Sequence, residues 1–164
     1  MKTSTFLITM FVGFFITSVT AQETIWLDAN WQKTTQDKAS FYRPAPQQKD
    51  NGFWIVDYYK NGSKQMEGFS TTNTYDNEQF EGLVKYYSAN GKLTHELNFF
   101  NGKLEGSRKE YHDSGELKEH AKYKDGKRDG VFKSYYKNGK IESKGKYREG
   151  EKVGVWKTFY KNDY

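Results

Sequence analysis

The chain has 164 residues, 35% apolar and 18% aromatic, with a net charge of +5 and no cysteine. That length has room for one domain, and so few aliphatic residues beside so many rings exclude a thick Leu/Ile/Val core in favour of a thin sheet covered by aromatic side chains. The lack of cysteine excludes disulfides, thiol catalysis and attachment as a lipoprotein.

Residues 1–21 read as a secretory signal peptide. Lys2 supplies the positive start, Phe6 to Ile16 the apolar stretch, and Val19-Thr20-Ala21 the small-residue cleavage site. The apolar stretch is too short to span a bilayer. A secreted chain without cysteine points to a bacterial protein, periplasmic or extracellular and soluble once processed. Residues 22–52 form an N-terminal cap or linker segment without repeats. Pro44 and Pro46 are the only prolines of the chain, and Pro-Ala-Pro predicts an extended turn leading into the first hairpin. Ala39 to Arg43 predicts a short strand pairing with the first repeat. Trp26 and Trp31 are expected to cover the exposed end of a sheet, because unpaired edges template aggregation.

From residue 53 to 164 the chain repeats. Three consecutive 24-residue units occupy residues 82–105, 106–129 and 130–153, and a half-unit occupies residues 154–164. Glycine opens the units at Gly82, Gly106 and Gly130, recurs at Gly91, Gly115 and Gly139, and returns at Gly102, Gly126 and Gly150. Within each unit two aromatic-bearing runs flank a turn, SANGK, HDSGE or YKNGK, so each unit is a β-hairpin. Tyr87, Tyr111, Tyr135 and Phe159 recur in the first runs, and Phe99, Tyr123 and Tyr147 in the second. An earlier unit, residues 53–81, starts with FWIVDYYKNG, placing Tyr58 under Tyr87. Tyr75 lies 24 residues before Phe99, yet Gly62 to Tyr75 is 13 residues where Gly91 to Phe99 is 8. A five-residue insertion is therefore expected in the first hairpin, within SKQMEGFSTTNT. The predicted fold is all-β, an elongated single-layer antiparallel meander of stacked β-hairpin repeats.

The pattern G-x-aromatic-x-x-Y-Y-x-N-G followed by Y-x-x-G-x-x-x-G, clearest from Gly130 to Trp156, resembles the MORN repeat family in its bacterial variant, including the YwqK-like repeat proteins labelled as antitoxins. The resemblance implies a scaffold that holds proteins together or sits on membranes. Departures fall at Phe53, Glu78, Arg108 and Asp163. Phe53, Glu78 and Asp163 stand where the repeat has glycine, and Arg108 where Phe132 and Trp156 stand.

Charge is uneven. Glu23 to Glu81 holds 6 basic and 9 acidic residues, a net of −3, and Gly82 to Tyr164 holds 19 and 12, a net of +7. Lys85, Lys109, Lys133 and Lys157 recur at one unit position and predict a lysine row along the sheet, suited to an acidic protein, phosphate or anionic lipid headgroups, or to solubility alone. Tyr87, Tyr111, Tyr135, Phe99, Tyr123 and Tyr147 are expected to pack on one another as the sheet's core. Tyr86, Tyr136 and Tyr160 are candidates to line a groove for a partner peptide or a glycan.

No catalytic set emerges. His95, His112 and His120 occupy different unit positions, and His95 and His120 are expected on opposite faces, so no metal cluster is predicted. No serine lies in a nucleophile elbow, and the glycines follow the hairpin period and form no phosphate loop. Glu105, Glu110, Asp113, Glu116 and Glu119 alternate with lysines, which reads as a solvated charged face. The expectation is a secreted, non-catalytic scaffold for protein–protein interaction, without cofactor or nucleic-acid partner. The alternatives are an anionic-lipid or envelope-surface binder and an antitoxin.

Overall fold

The computed structural model describes residues 23–160; the expected signal peptide lies outside them. No helix occurs among the described residues, and so none that could cross a membrane. The strands are β1 (Ile25–Leu27), β2 (Phe41–Arg43), β3 (Gln47–Lys49), β4 (Gly52–Tyr59), β5 (Lys64–Ser70), β6 (Phe80–Tyr87), β7 (Leu93–Phe100), β8 (Lys103–Tyr111), β9 (Leu117–Lys124), β10 (Lys127–Tyr135), β11 (Ile141–Arg148) and β12 (Glu151–Thr158). They form one open sheet in chain order from β1 to β12, with β2 and β3 sharing the edge of β4. The meander is as expected.

Two kinds of turn build it. Within each hairpin the Asn-Gly type of sequence closes a longer loop: Gly91 N donates to Ser88 O at 2.8 Å and Ser88 N to Lys92 O at 2.9 Å, and the pattern recurs at His112 and Tyr136. Between hairpins the link tightens to two residues of positive φ, Asn101-Gly102 (49°, 72°), Asp125-Gly126 (49°, 79°) and Glu149-Gly150 (52°, 95°). This is the turn whose twist matches that of antiparallel strands. Each such turn is tied back to the preceding hairpin. Asn101 N donates to Glu81 Oε2 at 2.8 Å, Asp125 N to Glu105 Oε2 at 2.8 Å and Glu149 N to Asp129 Oδ2 at 3.2 Å.

The glycines that open the 24-residue units fall in mid-strand, at bulges. Between Leu97↔Arg108 and Phe99↔Leu104, two steps on β7 oppose four on β8, and the same irregularity recurs at β6, β10 and β12. Gly82, Gly106, Gly130 and Gly154 absorb it with φ of 76°, 81°, 111° and 66°. A Cβ at Gly106 would meet only Asn98, at 4.0 Å, so the constraint there is backbone conformation and not space. Gly106→Ala is expected to cost about 1–2 kcal/mol, the left-handed penalty of an L-residue, measurable as a lower urea midpoint at unchanged slope.

The N-terminal segment supplies the strand expected at Ala39 to Arg43: Phe41 and Tyr42 pair with Tyr59 and Tyr58. Trp26 lies in β1 against Tyr42, and Trp31 stacks on Phe41 with centroids 4.4 Å apart. The insertion is placed differently from the expectation. Ser70 pairs with Phe53 as Phe99 pairs with Gly82, so Ser70 and not Tyr75 is the counterpart of Phe99. The extra residues form the link 71–79 between the first two hairpins. Tyr75 instead stands in that link, its hydroxyl donating to Trp31 O at 2.5 Å and its ring beneath the Arg43 guanidinium.

One face of the sheet carries the core. Ile55, Met66 and Val84 are buried there, with Phe53, Phe80, Tyr86 and Phe99 packed against them. Toward β12 the same face holds Phe132, Tyr147 and Trp156 with ring centroids 5.1–5.6 Å apart. Between the two clusters lies an ionic bridge: Arg108 donates to Glu119 at 2.9 Å and to Glu110 at 3.2 Å, and Arg128 donates to Glu119 at 3.0 Å. Glu119 is thus paired across strands with Arg108 and Arg128, Glu110 accepts from Arg108 on its own strand and from Lys118 Nζ of β9 at 2.6 Å, and Glu105 caps a turn, where the alternating sequence suggested only solvated charge.

Candidate functional site

The opposite face carries the lysine row, and strand register sets its order. Reading across the sheet, Glu67 pairs with Lys85, Lys85 with Glu96, Glu96 with Lys109, Lys109 with His120, His120 with Lys133, Lys133 with Lys144 and Lys144 with Lys157. Every predicted lysine is in the row, but its neighbours change from acidic to basic along it.

In the first half each carboxylate is held. Glu67 accepts from Lys64 Nζ at 2.6 Å and from the Tyr87 hydroxyl at 2.5 Å. Glu96 accepts from Lys109 Nζ at 3.3 Å and from the Tyr111 hydroxyl at 2.8 Å. Partial burial alone would raise both carboxyls, but these donors, with Lys85 lying between the two, bring them below the ordinary carboxylate range. The phenols shift the other way, Tyr87 and Tyr111 each being pushed up to about 12 by burial and by the carboxylate they bond. Tyr87 and Tyr111 therefore belong to the lysine face, whereas Phe99, Tyr123 and Tyr147 pair with Gly82, Gly106 and Gly130 on the core face. The two aromatic series do not make one core.

In the second half the acids are gone. His120 stands between Lys109 and Lys133, its Nε2 2.8 Å from Ser107 Oγ, and burial with the neighbouring lysines lowers its pKa. Lys144 stands where Glu96 does one unit pair earlier, and its ammonium lies 5.5 Å from the ring centre of Phe159, which replaces the tyrosine. Among the described residues no ion pair engages Lys133, Lys144 or Lys157. With Val131, Lys146 and Val155 they line a shallow trough of about 470 Å³, in which Val155 is 79% exposed. Like charges directly opposite across strands oppose the fold. Lys144→Glu, restoring the arrangement of Glu96, is expected to stabilise the chain by about 0.2–1 kcal/mol, seen as a higher thermal midpoint.

The candidate tyrosines are not brought together. Tyr86 pairs with Met66 and His95 on the core face, and Tyr136 follows β10, its hydroxyl donating to Phe159 O at 2.7 Å. Tyr160 follows β12 and is 86% exposed. His95 and His120 do lie on opposite faces, since His95 opposes Glu110 and His120 opposes Lys109. His112 Nε2 is 3.0 Å from Tyr135 O. Among the described residues no three histidine, aspartate or glutamate side chains gather as metal ligands.

The pH response follows from these environments. His95 and His120 are held below their ordinary value of 6.5 and Glu67, Glu96 and Glu110 below theirs of 4.5. In both cases the unfolded chain binds protons more readily, so stability rises with pH. Thermal midpoints are expected to be highest above pH 6.5, to fall first as the unfolded-state histidines protonate, and to fall again below pH 4.5.

Comparison with known proteins agrees with the repeat. A search of the curated proteins finds no match to the chain. The family model described as the MORN repeat variant matches three tandem segments, residues 80–101, 104–125 and 128–149. Their boundaries fall at the two-residue turns between hairpins, so one family repeat is one structural hairpin. Residues 80–149 of this chain are three tandem MORN repeats of the variant type.

Proposed function

We propose that the chain is a secreted, non-catalytic repeat scaffold, acting in the periplasm or outside the cell, that binds a protein partner at the β12 end of its sheet. MORN variant repeats support the coarser reading, a module for protein interaction or membrane binding. One observation favours the protein partner. Tyr59, His112 and Tyr136 each bond a backbone carbonyl of the following hairpin, at Tyr87, Tyr135 and Phe159. Tyr160 occupies the same repeat position beside β12, where the described residues offer no following hairpin. A surface that following hairpins fill three times over has no described occupant beside Tyr160, and we assign it to the partner. The test is capture of a partner from an envelope extract by the immobilised chain, washed at low and then high salt. A discrete protein retained at high salt, and lost when a bulky tag is fused directly after Tyr164, is the expected outcome. Capture indifferent to the tag would remove the β12 end from the reading.

A second reading has its own support in Lys133, Lys144 and Lys157, whose unpaired charges suit an anionic lipid surface. It predicts sedimentation with anionic vesicles that salt abolishes.

A further inference from the structure

We propose that the outer edge of β12, which no strand covers among the described residues, is completed by an antiparallel partner strand whose sequence reads acidic, small, any residue, aromatic, with the acidic residue opposite Lys157. This rests on the binding-module reading above and names the chemistry of the partner.

Each position of that motif comes from what surrounds β12 and from how the chain fills the same place elsewhere. Three strands of the chain occupy it against their own first strands: Glu96-Leu97-Asn98-Phe99 against β6, His120-Ala121-Lys122-Tyr123 against β8 and Lys144-Gly145-Lys146-Tyr147 against β10. In all three the last residue is aromatic and pairs with the bulge glycine, Gly82, Gly106 or Gly130. On β12 that glycine is Gly154, with the same left-handed backbone (φ 66°) and no described strand on its outer side, so the place that a ring takes beside Gly82, Gly106 and Gly130 is without a described occupant.

The small residue is dictated by Trp156. Where the central residue is a large ring its neighbours are small, Phe132 standing between Ala121 and Gly145, whereas the smaller Val84 is opposed by Leu97. Trp156 lies over Gly145 on its β11 side, with a hypothetical Cβ there only 2.3 Å from the indole. An incoming strand must leave comparable room on its other side.

The acid is dictated by the row. Lys85 has a glutamate on both sides, Lys109 has Glu96 and His120, Lys133 has His120 and Lys144, and among the described residues Lys157 has Lys144 alone. A cationic residue beside Lys157 would add to three adjacent unpaired lysines. A carboxylate there ends the row as Glu67 begins it. Backbone pairing along β12 supplies affinity and the alternating side chains supply register, as in other strand additions.

The experiment titrates the full chain, at low salt, with a short peptide centred on Glu-Gly-Thr-Tyr, following backbone amide shifts by NMR. Expected are saturable shifts concentrated in residues 151–158 and loss of binding when the peptide amides that face β12 are N-methylated. Lys157→Glu should weaken binding about tenfold or more, and a peptide with lysine in place of its glutamate should recover it on that variant. Absence of saturable binding at millimolar peptide overturns the inference, as does binding indifferent to N-methylation or to the charge exchange. Anionic vesicles bound through Lys133, Lys144 and Lys157 by a chain that ignores the peptide would give the row to a membrane and also overturn it. Capture of a protein partner that survives Lys157→Glu would leave the scaffold reading standing while the strand motif fails.

Discussion

Asp57→Ala is expected to destabilise the fold by about 3–5 kcal/mol, the loss incurred when one member of a buried ion pair is removed. Arg43 and Asp57 are 4% and 1% exposed. The guanidinium donates through Nε to Oδ1 at 2.6 Å and through Nη2 to Oδ2 at 2.8 Å, and Glu78 takes a further bond from Nη1. Burial alone would lower the arginine pKa, but the two carboxylates more than reverse this and the guanidinium stays charged. With Asp57 gone, that charge remains buried with Glu78 alone. The pair joins β2 to β4 and, through Glu78, the link 71–79, so its loss should also free the N-terminal segment. Equilibrium urea unfolding measures the cost. Replacing both partners with apolar residues, Arg43→Met with Asp57→Leu, is expected to recover much of it, because no orphan charge is left. A single mutant within about 0.5 kcal/mol of the parent, the range of an ordinary surface change, would show that the pair is not holding the cap.

Gly145→Val is the second large effect, expected to cost about 1–3 kcal/mol by overpacking. A Cβ at Gly145 would lie 2.3 Å, 2.4 Å and 2.8 Å from three atoms of the Trp156 indole. The ring is part of the triad with Phe132 and Tyr147, so it cannot move aside without opening the cover of the last hairpins. Since each repeat contacts chiefly its neighbours, the damage should stay local. Amide exchange is expected to accelerate in β11 and β12 while β4 to β6, around Ile55, Met66 and Val84, keep their protection. Trp156→Ala in the same chain should make the valine tolerable, and the double-mutant cycle measures how far the two sites are one. Equal loss of protection along the whole sheet would mean that the repeats unfold as a unit.

These two sites hold opposite ends of the sheet by different means, and this bears on function. The N-terminal end is closed by short strands, an ion pair and stacked rings. The β12 end is held by one aromatic triad, and among the described residues no strand covers its outer edge and no ion pair engages Lys133, Lys144 or Lys157. The binding surface proposed above is therefore at the end that lacks an ion-paired cap.

The sequence alone determined the repeat, the hairpin unit, the single-layer sheet, the lysine row and the strand leading in from Ala39 to Arg43. All of these come from local rules: glycine where φ must be positive, turn residues between alternating runs, and a period long enough for one hairpin. It did not determine which face each aromatic takes or what stands beside each lysine. Tyr87 and Phe99 each recur every 24 residues, and nothing in that spacing shows that one bonds Glu67 on the lysine face while the other packs with Phe80 on the core face. Face and neighbour depend on cross-strand register, and register here passes through a one-residue bulge near each hairpin loop and a longer one at each opening glycine. Single-strand periodicity carries no record of those shifts. The insertion was misplaced for the same reason, because Tyr75 matched the period while Ser70 held the register. The change from acidic to basic neighbours along the lysine row, and with it the candidate site, existed only once the strands were set side by side.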